Sequence, residues 1–138
     1  MREIKFRAYL KESKEFVYGV PDFSSQRATG IVWMHTIQGE EVGIVKDTIG
    51  QFTGLHDKNG KEIWEGDILG VPNPNRRYVV KFGNFENGLA YDSWQGGTGF
   101  YVHNQNEGDE GIGLLWDTSD FKVLGNIYEN PELLGEQK

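Results

Sequence analysis

The sequence contains no cysteine. Disulfide bridges, thiolate zinc centres and cysteine nucleophiles are therefore excluded, and the composition fits a reducing compartment. No run approaches the roughly 20 apolar residues that a membrane-spanning helix needs. The opening Met1-Arg2-Glu3-Ile4-Lys5-Phe6-Arg7 lacks the apolar core of a secretory signal. The expectation is a soluble cytoplasmic protein with no membrane partner. Basic charge is scarce: 14 Lys and Arg stand against 21 Asp and Glu, a net charge of −7. A phosphate backbone is not drawn to such a chain over long range. Nucleic-acid binding would have to rest on a local patch, and only two small ones exist: Arg2, Lys5, Arg7 and Arg76, Arg77, Lys81.

Local catalytic motifs are also missing. His35, His56 and His103 are far apart and in no ligand spacing. No serine sits in Gly-x-Ser-x-Gly. Gly96, Gly97 and Gly99 lead into the aromatic run Phe100-Tyr101-Val102 rather than into a helix, and no Gly-Lys-Ser/Thr follows, which argues against a phosphate cradle. The acidic loop 104–110 offers Asn104, Asn106, Glu107 and Asp109 as calcium ligands, but without the spacing, central glycine or terminal glutamate of an EF-hand. Glu65 and Asp67 could form an acid/base pair. Gly66 between them marks a tight turn, in which an aspartate more often binds a nearby backbone N–H. No catalytic residue, metal ligand or cofactor site is therefore assigned, and the chain reads as a non-enzyme.

What is present is turn chemistry between short apolar runs. The four prolines are outnumbered by 19 glycines, and 13% of residues are aromatic. That combination predicts a mainly β fold. The organising stretch is Gln51–Leu69: strand, Asp57-Lys58-Asn59-Gly60 turn, short strand, Glu65-Gly66-Asp67 turn, strand. Asn59-Gly60 is a strong hairpin signal because both residues tolerate positive φ.

Before it, residues 3–19 read as a hairpin in which Ile4, Phe6 and Ala8 alternate with Lys5, Arg7 and Tyr9, the period of a half-buried strand, with the basic side chains on one face that is wet rather than paired with acidic groups. Residues 20–30 read as a loop opened by Pro21-Asp22. Ile31–Met34 and Val42–Val45 read as strands, with Trp33 and Met34 in the core and a break at Asp47–Gly50. After it, Tyr78–Phe82 is a strand, Gly83-Asn84 a turn, and Asn87-Gly88 a second turn before Leu89–Trp94. Phe121–Tyr128 is the last strand. Asn130-Pro131-Glu132-Leu133-Leu134-Gly135 carries the signals of one helical turn with Asn130 as its N-cap.

Three of these blocks carry a resemblance. Met1–Tyr9 looks like the opening of the YopX family of phage and prophage proteins. Gln51-Phe52-Thr53-Gly54-Leu55, Asp57-Lys58-Asn59-Gly60-Lys61-Glu62-Ile63-Trp64-Glu65-Gly66-Asp67-Ile68 is similar to its most recognisable segment, and Val123–Leu134 to its end. The blocks lie in family order and bracket nearly the whole chain. The resemblance implies a β-rich fold, a phage or prophage setting and a bacterial host cytoplasm. It brings no catalytic residue.

The predicted architecture is an N-terminal β lobe, 1–50, and a C-terminal lobe, 51–138. The first is a sheet based on a hairpin. The second is a small curved antiparallel sheet like a Src-homology-3 barrel, with a terminal helical turn. The predicted role is a non-enzymatic accessory protein that binds a host or phage protein or assembles with itself through exposed strand edges. The alternative is nucleic-acid binding by Arg76, Arg77 and Lys81 with Tyr78 and Trp94, or an acidic surface that mimics DNA. A metal-assisted hydrolase using Glu65, Asp67 or the 104–110 loop leaves the requirements of an active site unfilled.

Overall fold

A computed structural model describes residues 5–25, 31–72, 76–85, 97–104, 113–114 and 118–134. Its secondary structure is antiparallel β with three short 3-10 turns, and no α-helix occurs among the described residues. The mainly β expectation holds. The chain divides into two units, Met1–Phe52 and Thr53–Lys138.

The first unit contains β1 (Phe6–Leu10), β2 (Glu15–Asp22), β3 (Ile31–Thr36), β4 (Glu41–Val45) and the start of β5 (Ile49–His56). The β1–β2 hairpin closes where the Lys14 N–H donates to the Leu10 carbonyl at 2.7 Å. Lys14 takes φ 60° to do so. β1 pairs with β2 on one side and with β5 on the other, through Phe6↔Gln51, Arg7↔Gly50 and Ala8↔Ile49. The order continues β2-β3-β4. β1 also touches β4, three strands away in that order, and the 3-10 turn Lys46–Thr48, so the sheet curls around its own core. That core is Ala8, Val32, Met34 and Ile44, walled by Phe6, Leu10, Val17, Val42 and Ile49.

Several readings of this unit are corrected. β2 runs on through Pro21 and Asp22, paired with Met34 and Trp33, so the loop begins later than residue 20. Pro21 is tolerated because β1 pairs with β2 only as far as Gly19. The break at Asp47–Gly50 is shorter than expected: a 3-10 turn ends at Thr48 and β5 starts at Ile49. Arg7 is not wetted; it is buried, as are its neighbours Ala8 and Tyr9. The Arg7 guanidinium carbon lies 4.1 Å from the Phe16 ring centroid. The Tyr9 and Phe16 rings meet edge to face at 5.1 Å. A guanidinium on an aromatic face is a stable way to desolvate it.

The second unit contains the end of β5, then β6 (Glu62–Trp64), β7 (Asp67–Gly70), β8 (Arg77–Phe85), β9 (Gly97–Asn104), β10 (Gly113–Leu114) and β11 (Lys122–Asn126). The order of its sheet is β10-β9-β8-β7-β11: a meander whose last strand returns to the free edge of its first. That return is the connectivity expected of a small barrel-like sheet. Its core is Ile63, Leu69, Val80, Phe100, Val102 and Val123, with Leu55, Tyr78 and Phe121 packed on it. Each of the six buried side chains contributes about 1.5–3 kcal/mol by leaving water. All four residues of β7 are buried, so this strand is covered on both faces.

β8 does not turn at Gly83-Asn84. It continues to Phe85 in unbroken register with β9, Gly83 opposite Gly99 and Asn84 opposite Thr98. Polar turn-formers there are overridden by the long pairing. The glycines at 97 and 99 belong to β9 for the same reason. The predicted Asn87-Gly88 turn and Leu89–Trp94 strand lie outside the described residues. β11 stops at Asn126 rather than Tyr128, because the Asn126 side chain bends the chain: its Oδ1 accepts the N–H groups of Tyr128 and Glu129 at 3.0 and 2.9 Å. The terminal turn is a 3-10 turn at Pro131–Leu133. Asn130 occupies its N-cap position without capping it; its Oδ1 instead accepts the Asn126 N–H at 3.2 Å.

Candidate functional site

The two turns of the organising stretch account for its two buried carboxylates, Asp57 and Asp67. In the first, the Gly60 N–H donates to the Asp57 carbonyl at 2.9 Å and the Asp57 N–H to the Lys61 carbonyl at 2.8 Å. Gly60 takes φ 85°, but Asn59 does not take positive φ, so only one of the two residues uses the freedom that the Asn-Gly signal offers. Asp57 supplies the rest. Its Oδ1 accepts the N–H groups of Asn59 and Lys61 at 2.8 and 2.9 Å, and its Oδ2 accepts that of Val123, on β11, at 2.9 Å. The carboxylate thus ties the hairpin to a strand 66 residues away. Burial pushes its pKa up, but the hydrogen bonds from Val123, Lys61 and Asn59 and the Lys61 charge outweigh it and hold the group below its ordinary value.

In the second turn Gly66 takes φ 94°. Asp67 is buried, and its Oδ2 accepts the Trp64 N–H at 2.8 Å. Gly66 itself donates to the Val80 carbonyl and accepts from the Ile127 N–H, both at 2.9 Å. Asp67 is thus engaged in holding the turn between β6 and β7.

The other sequence candidates are dispersed. His56 ends β5, and its carbonyl accepts the Thr118 hydroxyl. His103 lies in β9 opposite Val79. His35 lies in the first unit, with Nδ1 3.4 Å from Glu41 and Nε2 3.9 Å from Asp22. Ser24 donates to Asp22 from its hydroxyl and its backbone N–H, and these bonds lower the Asp22 pKa. Among the described residues no group of three His, Asp or Glu side chains could hold a metal ion. Of the loop 104–110, residues 105–110 lie outside the described residues, as does Trp94.

The basic patches are divided too. Lys5 places its ammonium 4.6 Å from the Phe52 ring centroid, and Arg7 is buried on Phe16. Arg77 and Lys81 alternate with Tyr78 along β8 and so point to the opposite face from it. Tyr78 packs on the core, its ring 5.6 Å from that of Phe121.

One surface was missed from sequence. Directly paired residues of an antiparallel sheet share a face. The register therefore puts Val20 and Asp22 of β2, Trp33 and His35 of β3, and Glu41, Gly43 and Val45 of β4 on one outer face. Its apolar members are exposed: Val20 by 64%, Val45 by 52% and Trp33 by 44%. Trp33 is thus not a core residue, whereas Met34, its neighbour on the opposite face, is fully buried. The signal was available: Trp33 shares its parity with polar His35, and Met34 with Val32. The indole lies beside Gly43, where a Cβ would meet it at 3.6 Å. The side chain is laid across the outermost strand.

No curated protein matches this chain significantly. Among solved structures it is similar to the crystal structure of protein EF1440 from Enterococcus faecalis, with 26% identity, 97% of this chain and 99% of that chain covered, and a TM-score of 0.47. The YopX protein family model matches residues 5–135, with the Asp57–Gly60 and Glu65–Asp67 turns inside the match, and the chain belongs to that family.

Proposed function

We propose that this YopX-family chain is a non-enzymatic accessory protein of phage or prophage origin that acts in a bacterial cytoplasm by binding protein. The observation that carries this reading is the outer face of β2, β3 and β4. Val20, Trp33 and Val45 are exposed together there, on a sheet whose opposite face already fills a core of Ala8, Val32, Met34 and Ile44. A tryptophan that is not needed for that core, lies between Asp22 and Gly43 and has Val20 and Val45 on the diagonals is a typical anchor of a protein interface. The buried carboxylates Asp57 and Asp67 are engaged in holding turns, which favours binding over catalysis.

The test is cross-linking in a host cell that produces the tagged full chain, compared with Trp33→Ala. Trp33 is half exposed, so the variant keeps its fold, checked by circular dichroism. The expected outcome is a cross-linked protein adduct, to a second copy or to another protein, that the variant loses. Identical adducts from both, or none from either, would overturn the reading. The nucleic-acid alternative receives less support, because only Arg76 reaches the Tyr78 hydroxyl, at 3.5 Å, while β8 turns Arg77 and Lys81 to the other face.

A further inference from the structure

We infer that the partner on this face is a second copy of the chain, joined by antiparallel pairing of β4 with β4 about a twofold axis at Gly43. The inference rests on the protein-binding reading above and names its partner. β4 is the last strand in its sheet order, and among the described residues no strand pairs with its outer side. The Thr36 N–H donates to the Glu40 carbonyl at 2.7 Å, which sets the phase of the β3–β4 ladder. Hydrogen-bonding groups alternate along a strand, so Val42 and Ile44 face β3. The N–H and C=O groups of Glu41, Gly43 and Val45 point outward.

A strand end of this kind is a template for another strand. The segment Glu40-Glu41-Val42-Gly43-Ile44-Val45-Lys46 complements itself when reversed. With Gly43 opposite Gly43 of the second copy, Glu41 falls opposite Val45 and Val42 opposite Ile44. Beyond the strand ends, Glu40 of each copy then lies near Lys46 of the other, the first residue of its 3-10 turn, so the acidic start of each segment faces the basic end of its partner. All three groups that would pair outward lie in matching phase, so the backbone bonds form without a register shift. Gly43 carries no side chain, and the Trp33 indole of each copy lies beside its own Gly43. The two indoles would then flank the paired glycines, with each Val45 beside Glu41 of the other copy. Opposite charges at the two ends of the junction favour that register, and like charges disfavour it.

Glu40 and Lys46 are exposed, so reversing either leaves the fold intact. Sedimentation of the full chain at low ionic strength, over a range of concentrations, reads the dimer directly. Wild type is expected to show a monomer–dimer equilibrium. Glu40→Lys and Lys46→Glu each place like charges near one another at both ends, and each is expected to weaken the dimer about tenfold. The double variant Glu40→Lys/Lys46→Glu restores opposite charges and is expected to recover most of that loss. A wild type that stays monomeric throughout would overturn the inference. So would a dimer that the single reversals leave unweakened, or one that the double variant fails to restore. If the monomeric chain still gives a Trp33-dependent adduct with another protein, the self-pairing fails while the protein-binding reading stands.

Discussion

Asp57 shows what one residue does in this fold. Its two oxygens accept three backbone N–H groups, two within its own turn and one from Val123 on β11. Asp57→Asn keeps one acceptor oxygen but turns an amide N–H toward a backbone donor, leaving a buried N–H unpaired. A loss of about 2–3 kcal/mol at neutral pH is expected, measured by urea unfolding. The pH dependence has a definite sign. The folded-state pKa of Asp57 lies below its ordinary value, and the unfolded value is about 3.9. The carboxylate therefore contributes its full stability above about pH 4 and loses it as pH falls through the lowered folded value. The gap between wild type and Asp57→Asn should be constant near neutrality and narrow below about pH 4. A gap that widens on acidification would contradict this account.

At the scale of elements, the tightest joint is between β2 and β3. Gly19 pairs with Phe6 on one side and Thr36 on the other. A Cβ at Gly19 would fall against the His35 carbonyl and lie 2.8 Å from the Thr36 Cα, and backbone cannot swing aside as a side chain can. Gly19→Ala is expected to destabilise by about 3 kcal/mol or more. Hydrogen exchange should show lost protection along β3 and β4. The cause is close approach of strands, not glycine's dihedral freedom. β11 makes the complementary case. Its pairing with β7 shifts register between Val123 and Gly125, and Leu124 lies over Gly70 at the irregularity.

For the whole molecule, charge is the property that acts at long range. The net charge of −7 opposes approach of a polyphosphate, and the structure adds no compensating cluster from Lys5 and Arg7, which lie on Phe52 and Phe16. Titration of labelled single- and double-stranded DNA at physiological salt is expected to show no binding tighter than the weak end of non-specific affinities, about 10⁻⁴ M. Tight, steeply salt-dependent binding would return attention to Arg76, Arg77 and Lys81. Protein partners are not excluded by the same charge, because exposed apolar side chains and a strand edge act only at contact.

The sequence by itself determined the β class, the strand–turn–strand–turn–strand order of the organising stretch, and the structural role of the Glu65-Gly66-Asp67 turn. These are local: hydrophobic alternation, turn residues and an aspartate two or three positions from its donor act within a few residues. Tertiary structure alone decided what depended on residues distant in the chain. The Asp57–Val123 bond and the extension of β8 through Gly83-Asn84 under pairing with β9 are of this kind. Whether Arg7 is wetted depends on Phe16 across a hairpin. Whether Trp33 is core or surface depends on which face of β3 the curled sheet encloses. Alternation assigns residues to two faces, and only the curled sheet says which of them is inside.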